Sequence, residues 1–306
     1  MSIGTDLALE AHDLLQGRGI KKGEIDGVLE KVEKNGQITV TTIEIINKKG
    51  EETLGKPQGR YVTIESPDLM YGLEDYEQAC RKTAEILKEM IGAVKGKTIL
   101  AVGLGNDKIT PDALGPKAVS GIIVTKHLKE NLNVVFGDSF SDVCAIVPGV
   151  LGNTGIEAAE VIKGVADIIK PDSIIAIDAL AARSIDRINT TIQLSDAGIQ
   201  PGAGVGNRRD ALSEKSLGIP VIAVGVPTVA AAEAIARDAL NFATKACEKE
   251  YEELLEKGFS KNISELIVTP KEIDLVTERA AKTVATSINM ALHEGMTFED
   301  IQGFMG

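Results

Sequence analysis

The chain is short of positive charge. It has 33 Lys and Arg against 45 Asp and Glu, a formal net charge of −12, and no block of basic residues. A nucleic-acid binder needs a basic face to replace phosphate counterions, so that class is excluded. A basic protein target remains compatible, because opposite charge favours encounter. Cysteine is also scarce: Cys80, Cys144 and Cys247 are odd in number and far apart. They form neither a disulfide framework nor a CxxC metal site, and Cys144 reads as a small core residue. The three histidines, His12, His127 and His293, lack HExxH or other ligand spacing, which speaks against a histidine-held metal. No serine stands in a GxSxG elbow. The first residues have no basic start followed by an apolar core, so a signal peptide is not expected. No run is apolar enough for long enough to span a bilayer. These absences point to a cytoplasmic, reduced protein with no membrane partner.

What is present reads as α/β. At 306 residues, 43% of them apolar, the chain can bury a large core. Residues 1–20 form a short amphipathic segment. Val28–Val32 and Ile38–Ile43 flank Asn35-Gly36 and read as a hairpin, and Tyr61–Ile64 adds a strand. Residues 73–94 carry helical spacing. From residue 98 onward, apolar runs alternate with helical stretches: strands at Thr98–Leu104, Val143–Val147, Ser173–Ile177, Thr191–Leu194 and Pro220–Gly225, with helices at Pro116–Leu128, Ile156–Ile169, Val229–Leu255 and Ile273–His293. Such alternation predicts a mostly parallel sheet with helices on both faces, plus the N-terminal β-hairpin elaboration. The expected organisation is a single domain over 7–306, with an elaboration at 7–95 and a core at 96–295.

Three glycine-rich loops invite binding. Gly103-Leu104-Gly105-Asn106 follows a strand, yet Lys108 stands where a dinucleotide fingerprint needs glycine. A tight turn is the better reading. The loop Pro148–Gly155 opens a helix; Gly149, Gly152 and Asn153 could polarise a substrate carbonyl or simply begin a capped helix, and both readings stand open. Gly202–Arg209 is either a flap that closes over substrate or a surface loop.

The strongest chemical signal is a pair of acids. Asp178 ends one apolar run and Asp112 lies in the loop after another. In open α/β sheets the working crevice lies beyond the carboxyl ends of parallel strands. Two carboxylates meeting there cannot both ionise cheaply. One would stay protonated while the other draws a proton from water, a division of labour suited to amide hydrolysis. Arg183 could hold one of them ionised, or could simply be a structural partner.

Several long motifs in one order resemble the germination protease family. They are Val102–Asn106 with Thr110–Pro116, Ala145–Val150, Ile177–Ser184, Gly202–Asn207 and Gly218–Val229. The resemblance covers most of residues 5–295. It implies an endopeptidase of unusual aspartic type that degrades small acid-soluble spore proteins in the spore core, with proposed catalytic acids matching Asp112 and Asp178. It implies a fold similar to hydrogenase-maturation peptidases, a zymogen, a homotetramer and no cofactor. The family cleaves after an acidic residue that precedes a bulky apolar one. Thr5-Asp6-Leu7-Ala8 fits that pattern, so self-cleavage between Asp6 and Leu7 is expected, with 1–6 as propeptide.

The chain departs from the pattern in places. The segment before Leu7 is shorter than in Bacillus-type members, so the resemblance does not extend to a long inhibitory propeptide. Ala230–Ala232 replaces a frequent Val-Asp pair, and the stretch from Val229 to Pro270 is compact. Two other classes compete: a metal-assisted maturation-type endopeptidase using the same acids, and a non-enzymatic nucleotide- or phosphate-binding module built on loops 103–106 and 149–155.

Overall fold

A computed structural model describes residues 5–17, 25–67, 69, 76–128, 141–202, 210–236 and 266–305. Among them one nine-stranded sheet organises the chain. Strands β1 (Val28–Asn35) and β2 (Ile38–Ile45) form the expected hairpin, paired from Val28↔Ile45 to Asn35↔Ile38. Its two-residue loop is Gly36-Gln37, one position later than Asn-Gly, with Gly36 at φ +59°. Strand β3 (Gly59–Glu65) pairs antiparallel with β2 and then with β7 (Thr191–Ser195). Next comes β8 (Val221–Ala231), antiparallel to β7. From there β6 (Ser173–Ala182), β4 (Thr98–Gly103) and β5 (Asp142–Ile146) follow in parallel. The two-residue β9 (Ile267–Val268) meets the end of β8.

The fold is α/β, but the sheet is mixed rather than mostly parallel. The N-terminal hairpin adds to the edge of that sheet. Through β3 and β7 it extends the same sheet, so half the architecture is antiparallel.

Period-2 burial explains the layers. Ile99, Ala101, Ile175, Ile177, Ile222 and Val224 point to one face. They meet α3 (Tyr76–Ile91), α4 (Leu114–Ser120) and α8 (Ile273–Leu292) through Leu87, Leu114, Val284 and Ile288. Their neighbours Leu100, Val102, Ile174 and Ala176 point the other way, onto Ile162 and Ala166 of α6 (Ala158–Ile169). On that second face the antiparallel half is covered by α1 (Ala8–Gly17) and α2 (Lys48–Leu54), whose Ala8, Ala11 and Leu54 pack on Ile43, Ile45 and Tyr61. Each fully buried leucine or isoleucine contributes about 1.5–3 kcal/mol; Ile177→Ala is the kind of single change that would cost about 2–5 kcal/mol.

Several boundaries differ from those expected. Helix α4 begins at Leu114, before Pro116, because proline in the first turn gives up an N–H that has no helical partner there. It ends at Ser120 instead of Leu128. Gly121 follows, and the Asn289 side chain on α8 accepts from Ile123 N–H (2.9 Å) and donates to Gly121 C=O (2.9 Å), which satisfies the backbone where the helix stops. His127 falls in a one-turn 3-10 helix. A short α5 (Leu151–Thr154) precedes α6, and a short α7 (Glu214–Leu217) precedes β8. The predicted strands ending at Ile177 and Gly225 both continue, to Ala182 and Ala231. Val229–Ala231 therefore belongs to β8 and not to a helix, while residues 237–255 of that predicted helix lie outside the described residues, as do 203–209 of the predicted flap.

Candidate active site

The site begins where β4 stops. Its last residue, Gly103, is level with Ile177, and Leu104 N–H closes the edge onto Ile177 C=O (2.8 Å). Strand β6 runs on, still held by β8 as far as Ala182↔Ala230. Asp178 is thus the first residue of β6 beyond the end of β4. It shares the face of Ile174 and Ala176, and is 4% exposed.

Asp112 arrives by a different route. The chain leaving β4 turns back through Gly105 (φ +106°) into a 3-10 turn, Thr110–Asp112. A Cβ on Gly105 would stand 2.0 Å from Asp112 C=O, and one on Gly115 would stand 2.2 Å from Leu104 C=O. Only glycine lets the turn close so tightly on the strand ends. These glycines therefore serve packing, which accounts for the motif that superficially suggested a nucleotide. Asp112 Oδ2 accepts from Asn106 N–H (2.7 Å). Thr228 hydroxyl donates to Pro111 C=O (2.7 Å). Thr228 is the extra residue where the β6–β8 register shifts, between Leu180↔Pro227 and Ala181↔Val229. The bulge lets β8 tether the turn that carries Asp112.

Both acids line one cleft of about 380 Å³, together with Gly105, Gly149, Gly152, Thr228 and Asp6. Burial holds the Asp178 carboxyl well above the usual aspartate range, and the negative charges of Asp112 and Asp6 push the same way. Its one opposing contact is Ala179 N–H at 3.0 Å. Asp112 is also raised by burial, with the Asn106 N–H opposing. Burial of two acids in one cleft, with the charge of Asp112 raising Asp178, favours a protonated Asp178 beside Asp112.

The N-terminal segment enters the same cleft. Asp6 N–H donates to Ala181 C=O (2.9 Å), and Asp6 Oδ2 accepts from Ala181 N–H (2.8 Å). Leu7 is fully buried against Leu180 and Ala182. Lys56 Nζ donates to Thr5 C=O (3.4 Å); burial lowers its pKa while Asp6 and Glu10 oppose that shift. Gln193 on β7 bonds both Asp6 and Ala8.

A family model described as germination protease matches residues 8–264. The chain is 44% identical to the germination protease of Caldanaerobacter subterraneus subsp. tengcongensis, covering 98% of this chain and 97% of that protein. It is 42% identical to that of Clostridium tetani over the whole of both chains, and 38% identical to that of Priestia megaterium over 99% and 97%. The chain belongs to the germination protease family. It is a peptidase.

Within this family member the other residues singled out by sequence fall in different places. Gly149 and Gly152 line the cleft beside the acids. Asn153 does not; its Nδ2 donates to Asn106 Oδ1 (3.1 Å), tying the two loops together. Arg183 is also outside the cleft lining, and its N–H donates to Glu10 (2.7 Å). It is not among the causes of either acid's shift. Lys56, Thr228 and Gln193 escaped sequence reading. For Gln193 the one local signal was a long polar side chain in the run Thr191–Ser195, and its meaning comes only from register. Among the described residues no helix is long and apolar enough to cross a membrane.

Proposed function

We propose that this peptidase is an endopeptidase that degrades small acid-soluble spore proteins in the spore core during germination, is made as an autoprocessing zymogen, and acts as a homotetramer. The observation that carries the mechanism is the meeting of Asp112 and Asp178 in one cleft that Asp6 also lines. Asp178, the more strongly shifted and more deeply buried acid, holds the proton. Asp112, supported by the Asn106 N–H, is the base. It takes a proton from water as the oxygen attacks the amide carbon. Asp178 then protonates the leaving nitrogen, and the C–N bond breaks.

Acting on its own chain, the same chemistry would divide Asp6 from Leu7. The net negative charge suits a basic substrate. The test is incubation of the purified chain with a small acid-soluble spore protein, followed by mass spectrometry of both. Asp112→Asn and Asp178→Asn are each expected to slow substrate cleavage and loss of residues 1–6 by about 10²–10⁴-fold. Robust turnover by either variant would refute the two-acid mechanism.

A further inference from the structure

The Asp6–Leu7 peptide bond is gripped from both sides by one side chain. Gln193 Nε2 donates to the Asp6 carbonyl oxygen (3.2 Å), and its Oε1 accepts from Ala8 N–H (2.7 Å). The two contacts fix the orientation of the side-chain amide: its nitrogen faces the acceptor and its oxygen the donor. Gln193 is 8% exposed, so the donor works where water does not compete strongly.

Register sets this side chain opposite the acids. Gln193 pairs with Gly225 on β8, and Gly225 pairs with Asp178 on β6. The three residues form one cross-strand row, and residues in such a row share a face. Gln193 and Asp178 therefore stand two strand spacings apart, roughly 10 Å between backbones, with a glycine between them. A Cβ on Gly225 would lie 2.5 Å from the Leu180 side chain, so its absence leaves room for Leu180 on that face. The segment from Asp6 to Ala8 bonds Ala181 on β6 and Gln193 on β7. Those strands flank β8, so the segment bridges the same three strands.

The geometry points to Gln193 as a catalytic residue for hydrolysis of the Asp6–Leu7 bond, its amide polarising the carbonyl that water attacks. This rests on the two-acid reading above and adds the group that reading lacks: a donor on the oxygen where negative charge develops. As water adds, the carbonyl π electrons move onto that oxygen, and Gln193 Nε2–H stabilises them. As the C–N bond breaks they return, and the acid's proton goes to the Leu7 nitrogen. The Ala8 contact holds the leaving side in place meanwhile.

The test follows loss of residues 1–6 by intact mass in the full chain, with Gln193→Ala, Gln193→Glu and Asp178→Asn, and thermal unfolding to confirm that each is folded. Removing such a donor costs about 10²–10³ in rate, so Gln193→Ala is expected to process that much more slowly. Gln193→Glu keeps the acceptor for Ala8 N–H but donates only when protonated. Its processing rate relative to the parent chain should therefore rise as pH falls. If Gln193→Ala processes within a few-fold of the parent while Asp178→Asn is inert, Gln193 is not catalytic and the two-acid reading survives. If Asp178→Asn processes normally, or the parent chain cuts elsewhere, the underlying reading fails instead.

Discussion

The two halves of the sheet contribute to the cleft in opposite ways. In the parallel half (β4, β5, β6 and β8) the apolar runs of β4, β6 and β8 are buried on both faces, and the polar chemistry appears where strands end unequally. Asp178 is available because β4 stops one residue short of it, and Asp112 because the chain leaving β4 turns back. In the antiparallel half (β1, β2, β3 and β7) no strand end reaches the cleft. Its contribution is indirect: a mid-strand side chain, Gln193, that holds the N-terminal segment next to Asp6, and a platform for that segment through α1 and α2. One half supplies acids from its rim; the other supplies a grip from its face. The comparison can be broken at the rim without touching an acid.

Gly105→Ala makes the sharpest such break. Its backbone sits at φ +106°, which L side chains avoid, and the added methyl would meet the Asp112 carbonyl at 2.0 Å. The turn carrying Asp112 must shift to admit it. A displacement of about 1 Å at a reacting group can cost about 10²-fold in rate. Peptide turnover should fall by that order, with the core helices retained by circular dichroism. Unchanged turnover would mean that the rim tolerates slack and that glycine packing does not set the acid's position.

How much of this was legible in the sequence follows the same division. The parallel half announced itself: its strand starts at Thr98, Ser173 and Val221 fall where the apolar runs begin. Its strand ends did not. After Ile177 the run is broken by Asp178, and after Gly225 by Pro227, a residue that normally argues against a strand interior. Tertiary pairing overrides both signals. Pro227 keeps its place opposite Leu180, the register shift that follows absorbs Thr228 alone, and Pro227 C=O accepts from Asn189 N–H (3.3 Å). That Asp112 and Asp178 reach one cleft was readable because loops after parallel strands converge. Gln193 was not readable, since its role depends on facing Gly225 across a ladder joining residues far apart in sequence.

Thr228→Val tests the link between the halves more gently, because β8 borders both. The substitution is nearly isosteric and removes only the hydroxyl that holds Pro111 C=O. A lost hydrogen bond of this kind is worth about 0.5–1.5 kcal/mol, so turnover should fall up to about tenfold. If the tether only positions Asp112, the loss appears in kcat, with KM little changed. A loss confined to KM would place Thr228 among substrate-binding groups instead.

The smallest expected effect is on stability, and it separates the halves by pH. Burial and the neighbouring charges of Asp112 and Asp6 raise the Asp178 pKa, so the folded protein binds its proton more tightly than the unfolded chain does. Stability from this group is then fully present below the unfolded aspartate value of about 3.9 and is lost as pH rises through the higher folded value. Asp178→Asn replaces a group that ionises at a cost with one that never does. Its melting temperature should exceed that of the parent by a few degrees at neutral pH, and the gain should vanish toward pH 4. Gln193→Ala removes no titrating group and should shift melting by an amount that does not change with pH. A gain for Asp178→Asn that persisted undiminished into acid would show that repacking, not relief of a buried charge, produced it.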